Sequence, residues 1–238
     1  MIKWYSFKVF LQVYFMENRE EICIFFCMNN KKLIAFDMYN TWVSSPKWPN
    51  PYKEMFSQLW ISLSLYKELS TLIQTTNCDI KDLLVKKLPP DTPIDTLLVK
   101  FQSDMDAQLS SLYIYEDFLP TIGTLKQQWY EAAVVSNLSK PYTYPLTHLI
   151  PHNTFDYTLL SYVVGMQKPD KQIFDHLKKI SWYGSDEIVM VGDSFSSDVQ
   201  WAKNAGIYPI HVNRSSSSIQ QYKEYLSIST LSQLLDLL

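Results

Sequence analysis

Lys32-Leu33-Ile34-Ala35-Phe36-Asp37-Met38-Tyr39-Asn40-Thr41 is an apolar run that stops at a carboxylate. Such a run predicts a strand buried on both faces, as in a parallel sheet. Asp37 then stands at the carboxyl end, where open α/β sheets bind ligands, although a plain strand followed by an Asx turn fits the same letters. Further runs repeat the pattern. Ala132 to Asn137 halts at Ser136, Phe155 to Leu160 follows, Ile188 to Val191 runs into Gly192-Asp193, and Tyr208 to Val212 is the fifth. Helical spacing lies between them. Pro169 fits the first turn of a helix whose inward face is Ile173, Phe174, Leu177 and Ile180, and Val199, Ala202 and Ala205 mark another that Gly206 closes. Leu231 to Leu238 reads as a short terminal helix. Alternating strands and helices predict an α/β fold, a Rossmann-like parallel sheet core with helices on both faces.

From Ser44 to about Leu119 only helix periodicity is present. Met55, Leu59, Ser62, Leu63 and Tyr66 share one spacing, Leu83, Leu84 and Leu88 precede Pro89-Pro90, and Leu97, Phe101, Met105 and Leu109 recur at four-residue steps. This predicts an inserted helical domain whose apolar stripes form its own core. The domain division is therefore an N-terminal extension over 1–31, a core over 32–43 and 120–238, and a helical cap over 44–119. The extension is aromatic and charged by turns, lacks a clean signal-peptide cleavage site, and has no run of the ~20 residues that a membrane span needs. It reads as a segment that packs on the domain or was added by an early start codon, with Met28 a natural start.

A net charge of −3 and a pI near 5.8 give no electrostatic reason to expect nucleic acid or an anionic membrane as partner. Cys23, Cys27 and Cys78 make neither a disulfide framework nor a zinc site, which points to a reducing, cytoplasmic location. With 5 glycines, all between Gly123 and Gly206, the chain has no P-loop and no GxGxxG. Its two arginines, Arg19 and Arg214, are the only ones any arginine clamp can use.

Parallel strands point their carboxyl ends the same way, so Asp37, Ser136 and Asp193, with Asp198 one turn on and Lys168 ahead of a helix, can converge on one crevice. Carboxylates gathered together repel unless a cation lies among them, and hard oxygen donors without His or Cys suit Mg²⁺. A lysine and a hydroxyl suit phosphoryl oxygens. The four histidines show no ligand spacing; His148 and His152 are the two expected nearer the crevice.

The ordered set resembles the haloacid dehalogenase superfamily over about Leu33 to Leu238. Its D-x-D-x-T motif appears as Asp37 to Thr41, its Ser/Thr-ended strand as Ser136-Asn137, its lysine motif as Lys168-Pro169-Asp170, and its G-D-x-x-x-x-D as Gly192-Asp193 to Asp198. A helical insert directly after the first motif is similar to the small cap of phosphoglycolate phosphatase-like enzymes, dehalogenases and small-metabolite phosphatases. The resemblance implies that Asp37 attacks phosphorus to give an aspartyl-phosphate. It implies Mg²⁺ on Asp37, the Tyr39 carbonyl, Asp193 and Asp198, and a small phosphorylated substrate held by Ser136, Asn137, Thr41 and Lys168. Lys47, Trp48 and Lys53 fall where cap and core meet in that family, as substrate contacts or a solvated hinge.

Tyr39 departs from the family phosphatases, which carry a second Asp there as proton donor and base. A phenol with a pKa near ~10 can donate a proton but is a poor base at neutral pH, so acid/base chemistry and turnover are what the change puts in doubt. Asn40, in place of the usual Gly, tolerates positive φ. Tyrosine at this position also occurs in metal-independent 2-haloacid dehalogenases, but those use a cap arginine, and none lies between Ser44 and Leu119. Those enzymes also lack the acid pair that Asp193 and Asp198 provide. A catalytically impaired binding protein of the same fold is the third reading.

Overall fold

A computed structural model of the chain describes residues 30–44 and 49–238. Residues 1–29 of the extension over 1–31, and the pair Lys47 and Trp48, lie outside the described residues. Among the described residues, strand β1 (Leu33–Phe36) is the third strand of a seven-stranded sheet of order β3-β2-β1-β4-β5-β7-β6, in which β6 is Gln220–Gln221 and β7 is Leu226–Ile228. Its neighbours are β2 (Glu131–Ser136) and β4 (Ile188–Gly192), both parallel to it. Strand β3 (Tyr157–Leu160) lies outside β2, and β5 (Tyr208–Val212) outside β4. The chain builds one side of β1 first and then the other, so the sheet changes direction between β1 and β4 and opens a crevice at their carboxyl ends.

Side chains alternate between faces along each strand. Ile34, Phe36, Val134, Val189 and Val191 enter one hydrophobic cluster; Leu33, Ala35, Ala133, Val135 and Met190 enter another. The first is covered by Phe118, Ile122 and Leu125 of the helix Phe118–Gln127, the second by Ile173, Phe174 and Leu177 of the helix Lys171–Ser181. Trp42, fully buried, stacks on Phe118 with ring centroids 4.6 Å apart. A third cluster belongs to four helices inserted after β1: α1 (Pro51–Ser57), α2 (Leu63–Thr75), α3 (Ile80–Lys87) and α4 (Ile94–Ser110). Among the described residues, no helix is long and apolar enough to cross a membrane.

Several expectations need correction. The periodic stretch from Met55 to Tyr66 is two helices, because Trp60 takes φ +48° and Ser62, expected on a helix face, caps α2 by accepting from Leu65 N. Pro169 does not enter the first turn of its helix; Asp170 is the cap and accepts from Gln172 N at 2.9 Å. Two strands escaped the sequence reading, β6 (Gln220–Gln221) and β7 (Leu226–Ile228); β6 runs antiparallel, so the sheet is mostly and not wholly parallel. Both are too short to show a period.

Trp60, Trp129 and Trp182 all sit in the left-handed region, at φ +48°, +69° and +64°, and are at least 90% exposed. A Cβ there costs about 1–2 kcal/mol, and these side chains bury too little to offset it. Trp182→Gly is expected to stabilise the fold by about 0.5–1 kcal/mol after the greater freedom of an unfolded glycine is subtracted. A thermal melt that falls, or does not move, would refute it.

Candidate active site

Asp37 extends the β1–β4 ladder by one bond, its N–H donating to Val191 O at 2.8 Å, and so leaves its carboxylate at the strand end. The chain then turns sharply: Asn40 takes φ +58°, as its residue type allows, and its N–H donates to Val43 O at 2.7 Å. Ser136, the last residue of β2, donates its hydroxyl to Asp37 Oδ1 at 3.0 Å. Lys168 donates to the same oxygen at 2.6 Å and to Asp198 Oδ1 at 2.7 Å. Asp198 Oδ2 accepts from Ser194 N at 3.0 Å, which fixes that carboxylate across the turn after β4. Gly192 is needed for this approach, since a Cβ at that position would lie 2.2 Å from Asp198 Oδ2.

The electrostatics follow from this packing. Lys168 is fully buried, which alone would push its ammonium down; Asp198 and Asp37 outweigh that and hold it up at about 12. Asp193 is pushed up to about 6 by burial and then by the charge of Asp37, against a bond from Asn40 that lowers it. Burial likewise raises Asp198, partly offset by Lys168. Carboxylate oxygens of Asp37, Asp193 and Asp198 lie within 4.8 Å of one another. Three carboxylates with one lysine among them leave excess negative charge, and the hard oxygen donor set fits a divalent cation.

Thus Asp37, Ser136, Lys168, Asp193 and Asp198 share one rim. The remaining candidates are placed differently. Asn137 braces the lysine loop: its Oδ1 accepts from Lys168 N at 2.7 Å and its amide donates to Lys168 O. Thr41 is fully enclosed, and its hydroxyl has no hydrogen-bond partner among the described residues. Tyr39 donates its hydroxyl to Tyr142 O at 2.9 Å, and burial raises its pKa far above that of a free phenol. Held in that way, the phenol gives up its proton less readily than the sequence suggested. His148 stacks on Tyr144, and His211, which the sequence did not single out, has Nε2 3.0 Å from Asp193 O.

Arg214 serves the frame. Its guanidinium bridges Thr41 O and both carboxylate oxygens of Asp117 and lies 3.6 Å over the Tyr115 ring. It ties the turn after β1 to the point where the chain leaves the inserted helices. Beside the rim is a cavity of about 480 Å³ between the inserted helices and the loop after β2; Tyr39 and Asn137 are part of its wall, and so is Lys53.

The chain shares 25% identity over 154 residues with the glyceraldehyde 3-phosphate phosphatase of Methanopyrus kandleri, which is 63% of this chain and 66% of that protein's length. A 2-haloacid dehalogenase from Pseudomonas syringae pv. Tomato DC3000 superposes with a TM-score of 0.62 at 18% identity, over 87% of this chain and 97% of the other. A predicted phosphoglycolate phosphatase from Haemophilus somnus 129pt gives 0.61 at 22% identity, over 88% and 98%. At these identities the two superpositions speak for the fold alone. The family described as haloacid dehalogenase-like hydrolase matches residues 34–212, a span that holds the rim from Asp37 to Asp198. On that match and this architecture, the chain belongs to the haloacid dehalogenase-like hydrolases.

Proposed function

We propose that the protein is a Mg²⁺-dependent phosphatase acting on a small phosphorylated metabolite through an aspartyl-phosphate on Asp37, and that it is slow. The observation that carries this reading is the pair of donors on Asp37 Oδ1, Ser136 Oγ at 3.0 Å and Lys168 Nζ at 2.6 Å, beside two more carboxylates. Both donors orient the carboxylate and leave its other oxygen to attack phosphorus. As the phosphoryl group enters, the same hydroxyl and ammonium are positioned to take its oxygens and offset the charge that gathers there. Asp37, the Tyr39 carbonyl and Asp193 would hold Mg²⁺. Asp198, with both oxygens already engaged, would act through water. The cation, when bound, neutralises charge on the phosphoryl oxygens and the carboxylates. That curated relatives are glyceraldehyde 3-phosphate phosphatases supports the substrate class. The cap over 44–119, the core over 32–43 and 120–238 and a cytoplasmic location complete the reading.

The test is phosphate release from p-nitrophenyl phosphate or acetyl phosphate with Mg²⁺ and with EDTA, alongside halide release from 2-chloropropionate. Mg²⁺-dependent phosphate release supports the phosphatase. EDTA-insensitive halide release would replace it with a dehalogenase, the reading that Tyr39 favours and the arginine-free insert opposes. Neither product would leave a binding protein.

Slowness is assigned to Tyr39, since no carboxylate stands where the family keeps its proton donor. Tyr39→Asp is expected to raise kcat, towards the ~10²–10⁴-fold that a placed general acid contributes. A folded variant with no gain would show that this position does not limit turnover.

A further inference from the structure

We propose that the leaving group is a nucleoside, so that the substrate is a nucleoside 5′-monophosphate whose base lies in the cavity between the inserted helices and the core. This rests on the phosphatase reading above. A cavity of about 480 Å³ falls in the range, about 300–1,000 Å³, that encloses most of a drug-sized ligand. At about 30 Å³ per water, a three-carbon alcohol would leave most of it to solvent.

The wall has the chemistry of a base site. Tyr39, Tyr52, Phe56, Tyr66 and Tyr142 supply rings from both the inserted helices and the core. Their mutual contacts are tilted or edge-on, as between Tyr39 and Tyr142 and between Phe56 and Tyr66. Flat rings of this kind stack bases with little regard to sequence. Among the described residues no carboxylate lines the cavity, and the one charged side chain there is Lys53. Hydrogen-bonding capacity is amide and hydroxyl in kind. Gln108, mostly buried, spends its carbonyl oxygen on the Tyr142 hydroxyl at 2.7 Å, and Asn50 spends its own on capping α1; each keeps its NH₂ group. Those are donors for the carbonyl edge of a base such as uracil or hypoxanthine. The tyrosine that replaces a carboxylate in the first motif is itself part of this wall, so at Tyr39 the aromatic lining reaches to within two residues of Asp37. In the reaction the P–O5′ bond breaks as the Asp37 carboxylate oxygen bonds to phosphorus; the 5′-oxygen leaves with a proton from solvent water, and a second water later releases phosphate.

The experiment compares kcat/KM of the Mg²⁺-supplied full chain on uridine and inosine 5′-monophosphates, ribose 5-phosphate, glyceraldehyde 3-phosphate and p-nitrophenyl phosphate. Ribose 5-phosphate shares the sugar and the ester but lacks the base. The expected result is a preference of about ten-fold or more for the nucleotides over ribose 5-phosphate, lost in Tyr66→Leu, with Tyr52→Leu as a second variant. Equal or better turnover of ribose 5-phosphate or glyceraldehyde 3-phosphate overturns the proposal and leaves the phosphatase standing. If no ester releases phosphate, the phosphatase reading fails by itself. Titration calorimetry then decides this proposal: base-dependent binding of uridine 5′-monophosphate over ribose 5-phosphate that Tyr66→Leu weakens supports it, and equal or absent binding overturns it.

Discussion

Asp37→Asn is expected to reduce Mg²⁺-dependent phosphate release at least about 10³-fold while the protein stays folded. The size follows from the role proposed for Asp37: removing a nucleophile removes the route itself, and such losses are among the largest single substitutions produce. Stability is expected to hold because asparagine is nearly the same shape and keeps one oxygen to accept from Ser136 and Lys168, as Asp37 Oδ1 does now. Losing the charge also relieves Asp193, whose carboxyl is raised partly by Asp37. Steady-state rates and a thermal melt on the same sample provide the check. Activity retained in a folded variant would show that phosphorus is attacked by something other than Asp37, and the aspartyl-phosphate mechanism would have to be abandoned.

The rim could be read from sequence for a physical reason. A strand buried on both faces needs an unbroken apolar run, and Leu33–Phe36 and Ile188–Gly192 are wholly buried, so the first polar residue after each run marks the sheet edge. Asp37, Ser136 and Asp193 stand at such edges. Less was legible where a structural role depends on residues distant in the chain. Nothing near Tyr39 shows that its hydroxyl meets Tyr142 O, 103 residues on, nor does Asn137 show that it will brace the loop of Lys168. Arg214 gave only its scarcity; its bracket with Asp117 and Thr41 spans 97 and 173 residues. The inserted helices misled differently. Apolar residues continued the 3.6-residue period from Met55 to Tyr66, but a left-handed Trp60 divides the stretch, and propensity says little about a residue taking so uncommon a conformation. The three residues of β7 give a twofold period too little length to show.

Lys168→Met should show how dry the rim is. The lysine side chain is 2% exposed and bonds two carboxylates, themselves 12% and 1% exposed. Removing its charge leaves Asp37 and Asp198 close together without compensation. Breaking a buried ion pair from one side costs about 3–5 kcal/mol, and the loss is expected here in urea unfolding with EDTA present. Its pH dependence has a definite sign. The ammonium of the wild type, held at about 12, stays charged throughout the neutral range, so Lys168 itself adds no pH dependence there. In the variant the stranded carboxylates can take up protons, so the deficit should shrink as pH falls. Mg²⁺ should narrow it as well, because a cation at the same cluster supplies the missing positive charge, and stabilisation by a ligand grows with its concentration over Kd. Adding Asp198→Asn to Lys168→Met should recover part of the stability without Mg²⁺ by removing one of the two unpaired charges. A deficit under about 1 kcal/mol that neither pH nor Mg²⁺ changes would mean that water screens these groups as it does a surface pair. The rim would then be too wet for its donors to have the strength that the mechanism asks of them.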